Sequence, residues 1–365
     1  MKRGADLALW FFCIALAGCA SGTGPAAFPE KPGREAEAGP STRYEEKVRV
    51  YTEAIINEKS GEQAYFQRGL AWGRQGKYDR AENDFYKVTE INPRNALGYI
   101  NTGVALGMKG NYEKALAEYD KALLISPECA VARYNRGIIR AELGDLAGAM
   151  EDLNRALALN PDYSLAYMHR GTVFRRLGEA DRALEDFNRA MELAPNDARP
   201  YYHRGLAMAD RKEWGRAIED FTRSIEHDPT DAESFLHRAE ALAKTGGLGE
   251  AIQDLGRAVD LDSRYAEAFL RLGQIYLERD DAGKAIANLT KAGDIVRITR
   301  FLDREMLAKF LEINPWLPEI YYYKARAWKA KGRYKWALDD AREALKLEPE
   351  NRNYQILVRD LEALL

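Results

Sequence analysis

The stretch from Ala96 to Pro127 reads ALGYINTGVALGMKGNYEKALAEYDKALLISP, and the same pattern returns every 34 residues along the chain. Prolines mark this period most plainly. They stand at Pro93, Pro127, Pro161, Pro195 and Pro229. A fixed period of this length is typical of a solenoid, in which each copy of the repeat packs only against its neighbours.

Eight copies of the pattern can be aligned, and positions are numbered here from the first residue of each copy. The copies begin at Glu62, Ala96, Ala130, Ser164, Ala198, Ala232, Ala266 and Pro318. Alanine fills the twentieth position of all eight, the eighth position is Gly or Ala, and the fourth and twenty-fourth are usually bulky. Small residues let two helices approach closely, while bulky ones fill the space beside that contact. Each copy is therefore predicted to be a helical hairpin.

These marks resemble the tetratricopeptide repeat, and the resemblance covers roughly four-fifths of the 365 residues. It implies an all-α fold, an α-solenoid that winds as a right-handed superhelix with a concave groove. We predict a capping helix at 41–61, seven repeats at 62–299, an inserted helix at 300–317, an eighth repeat at 318–351 and a C-terminal capping helix at 352–365. The groove of such a solenoid binds proteins or extended peptides, so the family implies a protein-binding adaptor.

The first residues of the chain predict export. Lys2 and Arg3 precede an apolar run, and Leu16-Ala17-Gly18-Cys19 resembles a bacterial lipobox. We therefore predict a lipoprotein signal peptide at 1–18 and lipidation of Cys19, with an ordinary signal cleaved after Ala20 as the alternative. Residues 19–40 are rich in Gly and Pro and are predicted to be a disordered tether. This places the protein at the bacterial cell envelope, on the outer membrane and facing the periplasm.

Composition argues against several other functions. The chain has 54 basic and 57 acidic residues, a net charge of −3, which provides no field for nucleic acid. No nucleophile motif or phosphate-binding glycine loop is present, so we predict no enzyme, no catalytic residue and no cofactor. We also predict no metal site, because histidines on neighbouring repeats stand too far apart to share one ion. Export would leave Cys129 as a lone thiol.

Arginine recurs at the seventh position and aspartate at the twenty-third. The copies that carry both have Arg68 with Asp84, Arg136 with Asp152, Arg170 with Asp186, Arg204 with Asp220, and Arg238 with Asp254. In the seventh copy both are replaced, by Leu272 and Asn288. Because a guanidinium fits a carboxylate through two hydrogen bonds, we predict that each arginine pairs with the aspartate of its own hairpin as a structural ion pair.

Polar residues recur at the sixth position, next to bulky residues at the fifth. The resemblance places both positions in the concave groove, where amides and imidazoles could hold a peptide backbone and the bulky residues could accept its side chains. The candidate groove residues are Phe66, Gln67, Ile100, Asn101, Tyr134, Asn135, Met168, His169, Tyr202, His203 and His237. The alternative is a solvated row of repeat-consensus residues.

Residues 300–317 interrupt the period and read RFLDREMLAKFLEINPWL. Their apolar side chains either patch the solenoid or offer a surface to a partner. The sequence thus favours a lipid-anchored adaptor, with a structural subunit of a pilus, secretion or cell-wall complex as the alternative. In that alternative the protein uses its edges and the insertion. A weaker third function, carbohydrate or peptidoglycan binding, depends on Tyr134 and Tyr202.

Overall fold

The computed structural model describes residues 40–57, 61–296 and 310–365. The predicted signal peptide, the tether up to residue 39, Cys19 and residues 300–309 of the insertion lie outside these ranges, whereas Pro40, predicted as the end of the tether, is the first residue of a helix. Within them every regular element is an α-helix. The chain divides into two compact units, Met1–Pro195 and Asn196–Leu365.

The first unit contains a single helix followed by four hairpins. Helix α1 spans Pro40–Ile56; the hairpins are α2 (Gly61–Arg74) with α3 (Tyr78–Ile91), α4 (Ala96–Met108) with α5 (Tyr112–Ile125), α6 (Ala130–Glu142) with α7 (Leu146–Leu159), and α8 (Ser164–Arg176) with α9 (Ala180–Leu193).

The second unit also contains four hairpins, followed by a closing helix. They are α10 (Ala198–Asp210) with α11 (Trp214–His227), α12 (Ala232–Lys244) with α13 (Leu248–Leu261), α14 (Ala266–Glu278) with α15 (Ala282–Ile295), and α16 (Leu317–Ala330) with α17 (Tyr334–Leu347); α18 spans Arg352–Glu362. The predicted all-α fold of consecutive helical hairpins is confirmed.

The two helices of a hairpin meet at the small residues of the eighth and twentieth positions. A Cβ atom added to Gly103 would lie 2.6 Å from the ring of Tyr119, and both Tyr119 and Ala115 are fully buried. The turn between the helices requires a left-handed residue at the fifteenth position, which is why Gly144 stands there with φ of 87°. Lys212 takes the same conformation at a φ of 60°.

The described end of the insertion belongs to the core of the second unit. Residues 310–313 are helical. Phe310, Leu311 and Trp316 pack against the buried cluster formed by the sixth, seventh and eighth repeats. This part of the insertion therefore patches the repeats.

One sequence prediction fails in the first unit. Cys129 is fully buried next to α6 and is disulfide-bonded, so the prediction of a lone thiol is wrong. The other cysteines of the sequence, at positions 13 and 19, lie outside the described residues. No helix in the described ranges is long and apolar enough to cross a membrane.

Candidate functional site

The arginines of the seventh position each bind the aspartate of their own hairpin through two hydrogen bonds. Nε and one terminal nitrogen donate to the two carboxylate oxygens over 2.6–2.8 Å in every pair. The pairs are Arg68–Asp84, Arg136–Asp152, Arg170–Asp186, Arg204–Asp220 and Arg238–Asp254. All five aspartates are buried. These pairs fasten the two helices of a hairpin together.

The remaining guanidinium nitrogen of these arginines reaches the preceding copy, which the sequence analysis missed. In the third repeat Arg136 donates to Asp120 over 2.6 Å, and in the fourth Arg170 donates to Asn154 over 2.8 Å. Thr52 and Thr222 accept the equivalent bonds from Arg68 and Arg238. All four acceptors stand at the twenty-fifth position, so each of these arginines links one repeat to the next.

Most of the predicted groove row is buried between repeats. Eight of its eleven side chains are at most 8% exposed: Phe66, Ile100, Asn101, Tyr134, Asn135, Met168, His169 and His203. These side chains therefore offer little surface of their own, although His169 also forms part of the wall of an open cavity. That the row binds a partner stays a prediction. Only Gln67, Tyr202 and His237 are half-buried.

Packing of neighbouring first helices accounts for this burial. The amide of Asn101 donates to the carbonyl of Leu97 over 2.8 Å, so its polarity is satisfied within its own helix. The ring of Tyr134 lies 4.8 Å from that of Tyr163 and 5.4 Å from that of His169, between centroids. Polar residues at the sixth position are thus part of the contact between repeats, which neither reading of the sequence predicted.

An open cavity of about 330 Å³ lies between the first helices of the third and fourth repeats. Ile138, Ala141, Leu153, His169 and Val173 form its inner wall, and Glu142, Thr172 and Arg176 complete the lining. Thr172 is half-buried, whereas Glu142 and Arg176 are exposed. Arg176 also donates to the carbonyl of Ala141 over 2.6 Å, which holds the guanidinium across the neighbouring helix.

The corresponding face of the second unit carries a network of charges. Arg271 of the seventh repeat donates to Glu240 over 2.7 Å and to Glu267 over 3.2 Å, and Glu319 lies 3.9 Å away. His237 Nδ1 is 3.0 Å from the other oxygen of Glu240. Burial of the Glu240 carboxyl opposes ionisation, but the hydrogen bonds and charges of His237 and Arg271 outweigh it and lower its pKa.

Tyr202 closes this network at the fifth repeat. Its hydroxyl donates to Glu233 over 3.1 Å, and its ring centroid lies 5.8 Å from that of His237. Burial, together with the nearby Glu233 carboxylate, raises the pKa of Tyr202 well above its ordinary value. These residues bind each other across successive repeats, so they stiffen this face of the second unit.

Comparison with known sequences gives five matches to repeat-family models. Models described as Tetratricopeptide repeat match residues 62–95, 108–170, 236–292 and 318–351, and one described as TPR repeat matches residues 171–211. Among curated proteins, none matches this chain.

Three solved structures illustrate the likeness in fold. The APC/C hetero-tetramer Cut9-Hcn1 is 16% identical with a TM-score of 0.58; the match covers 74% of this chain and 53%, about half, of that one. PilW, a type IV pilus biogenesis factor, is 18% identical over 63% of this chain and 98% of its own, with a TM-score of 0.54. A tetratricopeptide repeat protein from Parabacteroides merdae is 21% identical over 70% and 99%, with a TM-score of 0.52. At these identities the likeness shows the fold alone.

Proposed function

Because the chain belongs to the tetratricopeptide-repeat family, we propose that this protein is a lipid-anchored adaptor of the bacterial cell envelope. In this proposal the N-terminal sequence supplies the anchor at Cys19 and directs the protein to the outer membrane, facing the periplasm. The repeats bind an extended segment of another protein. The protein acts by holding partners together and not by catalysis.

The cavity between α6 and α8 is the observation that carries the binding proposal. Its volume of about 330 Å³ stands at the small end of the range of ligand pockets, a size suited to one large side chain. Apolar residues form the wall, while Glu142 and Arg176 place opposite charges at the rim. An extended peptide could therefore bury one apolar side chain here and hydrogen-bond its backbone at the rim.

Site-specific photo-crosslinking in intact cells tests this proposal. A photoreactive residue at Thr172, inside the cavity, should capture a discrete partner; the matched control is the same residue at Ala147, exposed on α7. Thr172→Phe should fill the cavity and abolish the binding of the captured segment, whereas Ala147→Phe should not. Equal capture from both positions, or unchanged binding by Thr172→Phe with circular dichroism intact, would count against the cavity as the site.

The anchor is tested separately. Cys19→Ala should release the protein from the membrane fraction or block its processing, because the acylated sulfur would be lost. A Cys19 sulfur that carries lipid cannot also form a disulfide with Cys129, so the mass of the N-terminal peptide is measured before and after reduction, and its release from Cys129 by reduction would count against lipidation. Normal membrane retention of the variant, or a peptide mass without acyl chains, would favour the ordinary signal cleaved after Ala20.

The structure bears on the two alternative functions, a structural subunit of an envelope complex and a carbohydrate binder. A subunit that docks through the insertion needs those apolar residues free, yet Phe310, Leu311 and Trp316 pack against the repeats of their own unit. Carbohydrate binding needs exposed aromatic faces, yet Tyr134 is fully buried and Tyr202 is half-buried with its hydroxyl bonded to Glu233. Among the residues that the structure describes, neither alternative gains a supporting contact.

A further inference from the structure

The turn of the eighth repeat differs in charge from the rest of the chain. Residues 328–336 read WKAKGRYKW, and this segment is called the basic–aromatic turn below. It holds four cations and three aromatic rings, and no Asp or Glu occurs anywhere from residue 320 to residue 338. A net charge of −3 for the whole chain therefore conceals one strongly basic segment.

The cations of this turn remain available at the surface. Lys331, Arg333 and Lys335 are exposed, and among the described residues none of the three makes an ion pair. In another hairpin turn of the same unit, by contrast, Glu213 binds Arg216 over 2.8 Å. The charge of Lys331 acts on the carboxylate of Asp281, whereas the described residues place no carboxylate against Arg333 or Lys335. The basic–aromatic turn thus carries two positive charges that the described residues do not neutralise.

Aromatic rings stand beside these charges. Trp336 is 52% exposed, and its ring lies 4.8 Å from that of Trp328 in an edge-to-face arrangement. The guanidinium of Arg333 lies 5.7 Å from the centroid of Trp336. A half-exposed indole held in place by a second indole presents a large apolar area at little cost in conformational entropy.

An open cavity of about 370 Å³ lies next to the turn, between α16 and α18. Lys329 belongs to both the turn and the cavity, whose lining also includes Arg326, Tyr322 and Ile356. Ile356 is 47% exposed, and the nearest carboxylate to Lys329 is that of Asp360, at 3.8 Å. Apolar and basic groups therefore continue from the turn towards the C-terminal helix.

We propose that the basic–aromatic turn docks onto an anionic phospholipid surface. Indole rings are favoured at the depth of lipid headgroups, and each Lys or Arg near an anionic leaflet contributes attraction. We favour a membrane over an acidic protein because the proposed acyl chains at Cys19 would already hold the chain at a bilayer. Tethering raises the effective concentration of the turn at that surface, so even a weak contact would be occupied. This choice of occupant rests on the proposed function.

Vesicle co-sedimentation tests the proposal with the chain from residue 19 onward, which keeps every described residue and Cys19; without the signal peptide this chain receives no acyl group. The protein should bind vesicles of phosphatidylcholine mixed equally with phosphatidylglycerol, and far less to phosphatidylcholine alone. Added salt should weaken the binding. Arg333→Gln with Lys335→Gln should lower the partition coefficient about thirtyfold, at roughly a factor of five for each lost cation. Trp336→Ala should weaken binding at every salt concentration, because the contribution of the indole ring to binding is apolar and is not screened by salt.

The matched control is Arg216→Gln with Arg223→Gln, which removes the same charge from exposed arginines that are paired with glutamates. Its partition should match that of the parent protein. Absence of binding to the mixed vesicles, or equal binding by the Arg333 and control variants, would overturn the proposal. Binding to polyglutamate but not to vesicles would also overturn it and assign the turn to an acidic protein. Since no acyl chain is present, the result is independent of whether Cys19 is lipidated and whether the cavity at Thr172 binds a partner.

Discussion

Replacing Arg170 and Asp186 together by leucine and asparagine should cost less stability than the sum of the two single changes. The double variant, Arg170→Leu with Asp186→Asn, gives the fourth repeat the pair that the seventh repeat already has at these positions. In the seventh repeat Leu272 is buried in the core, and Asn288 donates to the carbonyl of Lys284 over 2.9 Å. The seventh repeat therefore shows that the hairpin can form with uncharged residues at these two positions.

The expected magnitudes follow from burial and hydrogen bonding. Arg170 and Asp186 share two hydrogen bonds of 2.7 Å, with side chains 21% and 7% exposed. Either single change leaves a largely desolvated charge without its partner, which should lower the free energy of unfolding by about 2–3 kcal/mol. This is less than the cost of breaking a fully buried ion pair, because Arg170 is partly in contact with solvent. The double variant leaves no buried charge, and besides the pair itself it loses the bond from Arg170 to Asn154 and the contacts of Arg170 with the rings of Tyr167 and Phe174, so about 1–2 kcal/mol is expected. The coupling energy, which is the sum of the two single losses minus the loss of the double variant, should be about 2–5 kcal/mol.

Urea unfolding followed by circular dichroism measures the three variants. Hydrogen exchange of α8 and α9 is needed as well, because a repeat array can open one repeat at a time. The control is the same cycle on Arg223 and Glu226, whose side chains are 65% and 53% exposed, where coupling should be near zero. Additive losses for Arg170 and Asp186 would refute the reasoning, since they would mean that neither residue depends on the other.

Three further predictions use the same array. Gly205→Ala should destabilise by about 1–3 kcal/mol, because its Cβ would lie 2.7 Å from the ring of Phe221, and adding Phe221→Leu should recover part of the loss in chemical denaturation. Because the pKa of Glu240 is lowered in the folded protein, its carboxylate stabilises the fold at any pH above the ordinary pKa of glutamate, and this contribution is lost as the pH falls through the folded pKa. In Glu240→Gln the free energy of unfolding, measured by chemical denaturation, should therefore fall less steeply with pH below about 4.5. Asn101→Ala should lower the free energy of unfolding by about 1 kcal/mol, because its amide is buried and bonded to the Leu97 carbonyl; an unchanged unfolding curve would contradict this.

The hairpins could be predicted from the sequence because their packing constrains residue size directly. Gly103 and Ala115 must be small for the helices to meet, and Tyr119 must fill the space beside them, so the constraint repeats in phase. Joint replacement of Arg and Asp in the seventh copy pointed to the ion pairs in the same way. In both cases the packing geometry requires particular residue types, and the repeats show the same requirement several times in one chain.

The binding surface could not be predicted because polarity does not reveal exposure. Asn101 and a solvated asparagine look alike in sequence, but the amide of Asn101 is bonded to the carbonyl four residues before it. The link from Arg136 to Asp120 was missed for a related reason. Thr, Asp and Asn all serve at the twenty-fifth position, so the requirement is for a hydrogen-bond acceptor and not for one residue type. The cavity beside Thr172 depends on packing gaps, which have no sequence signature.

The repeats separate the positions that maintain the fold from those that can vary with function. At the eighth and twentieth positions all eight copies keep Gly or Ala, because a larger side chain would push the helices apart. The ninth position, one residue further along the first helix, does not have to be small, and it differs between each copy and the next. It reads Leu70, Val104, Ile138, Thr172, Leu206, Glu240, Gln274 and Arg326. Because this position lines the cavity in the first unit and joins the charge network in the second, the chain presents a different chemistry in each unit on the same hairpin. Substitution of the half-buried Thr172 should therefore change partner choice with little effect on the packing of the hairpin, whereas Leu70 and Ile138 at the same position are buried in the core.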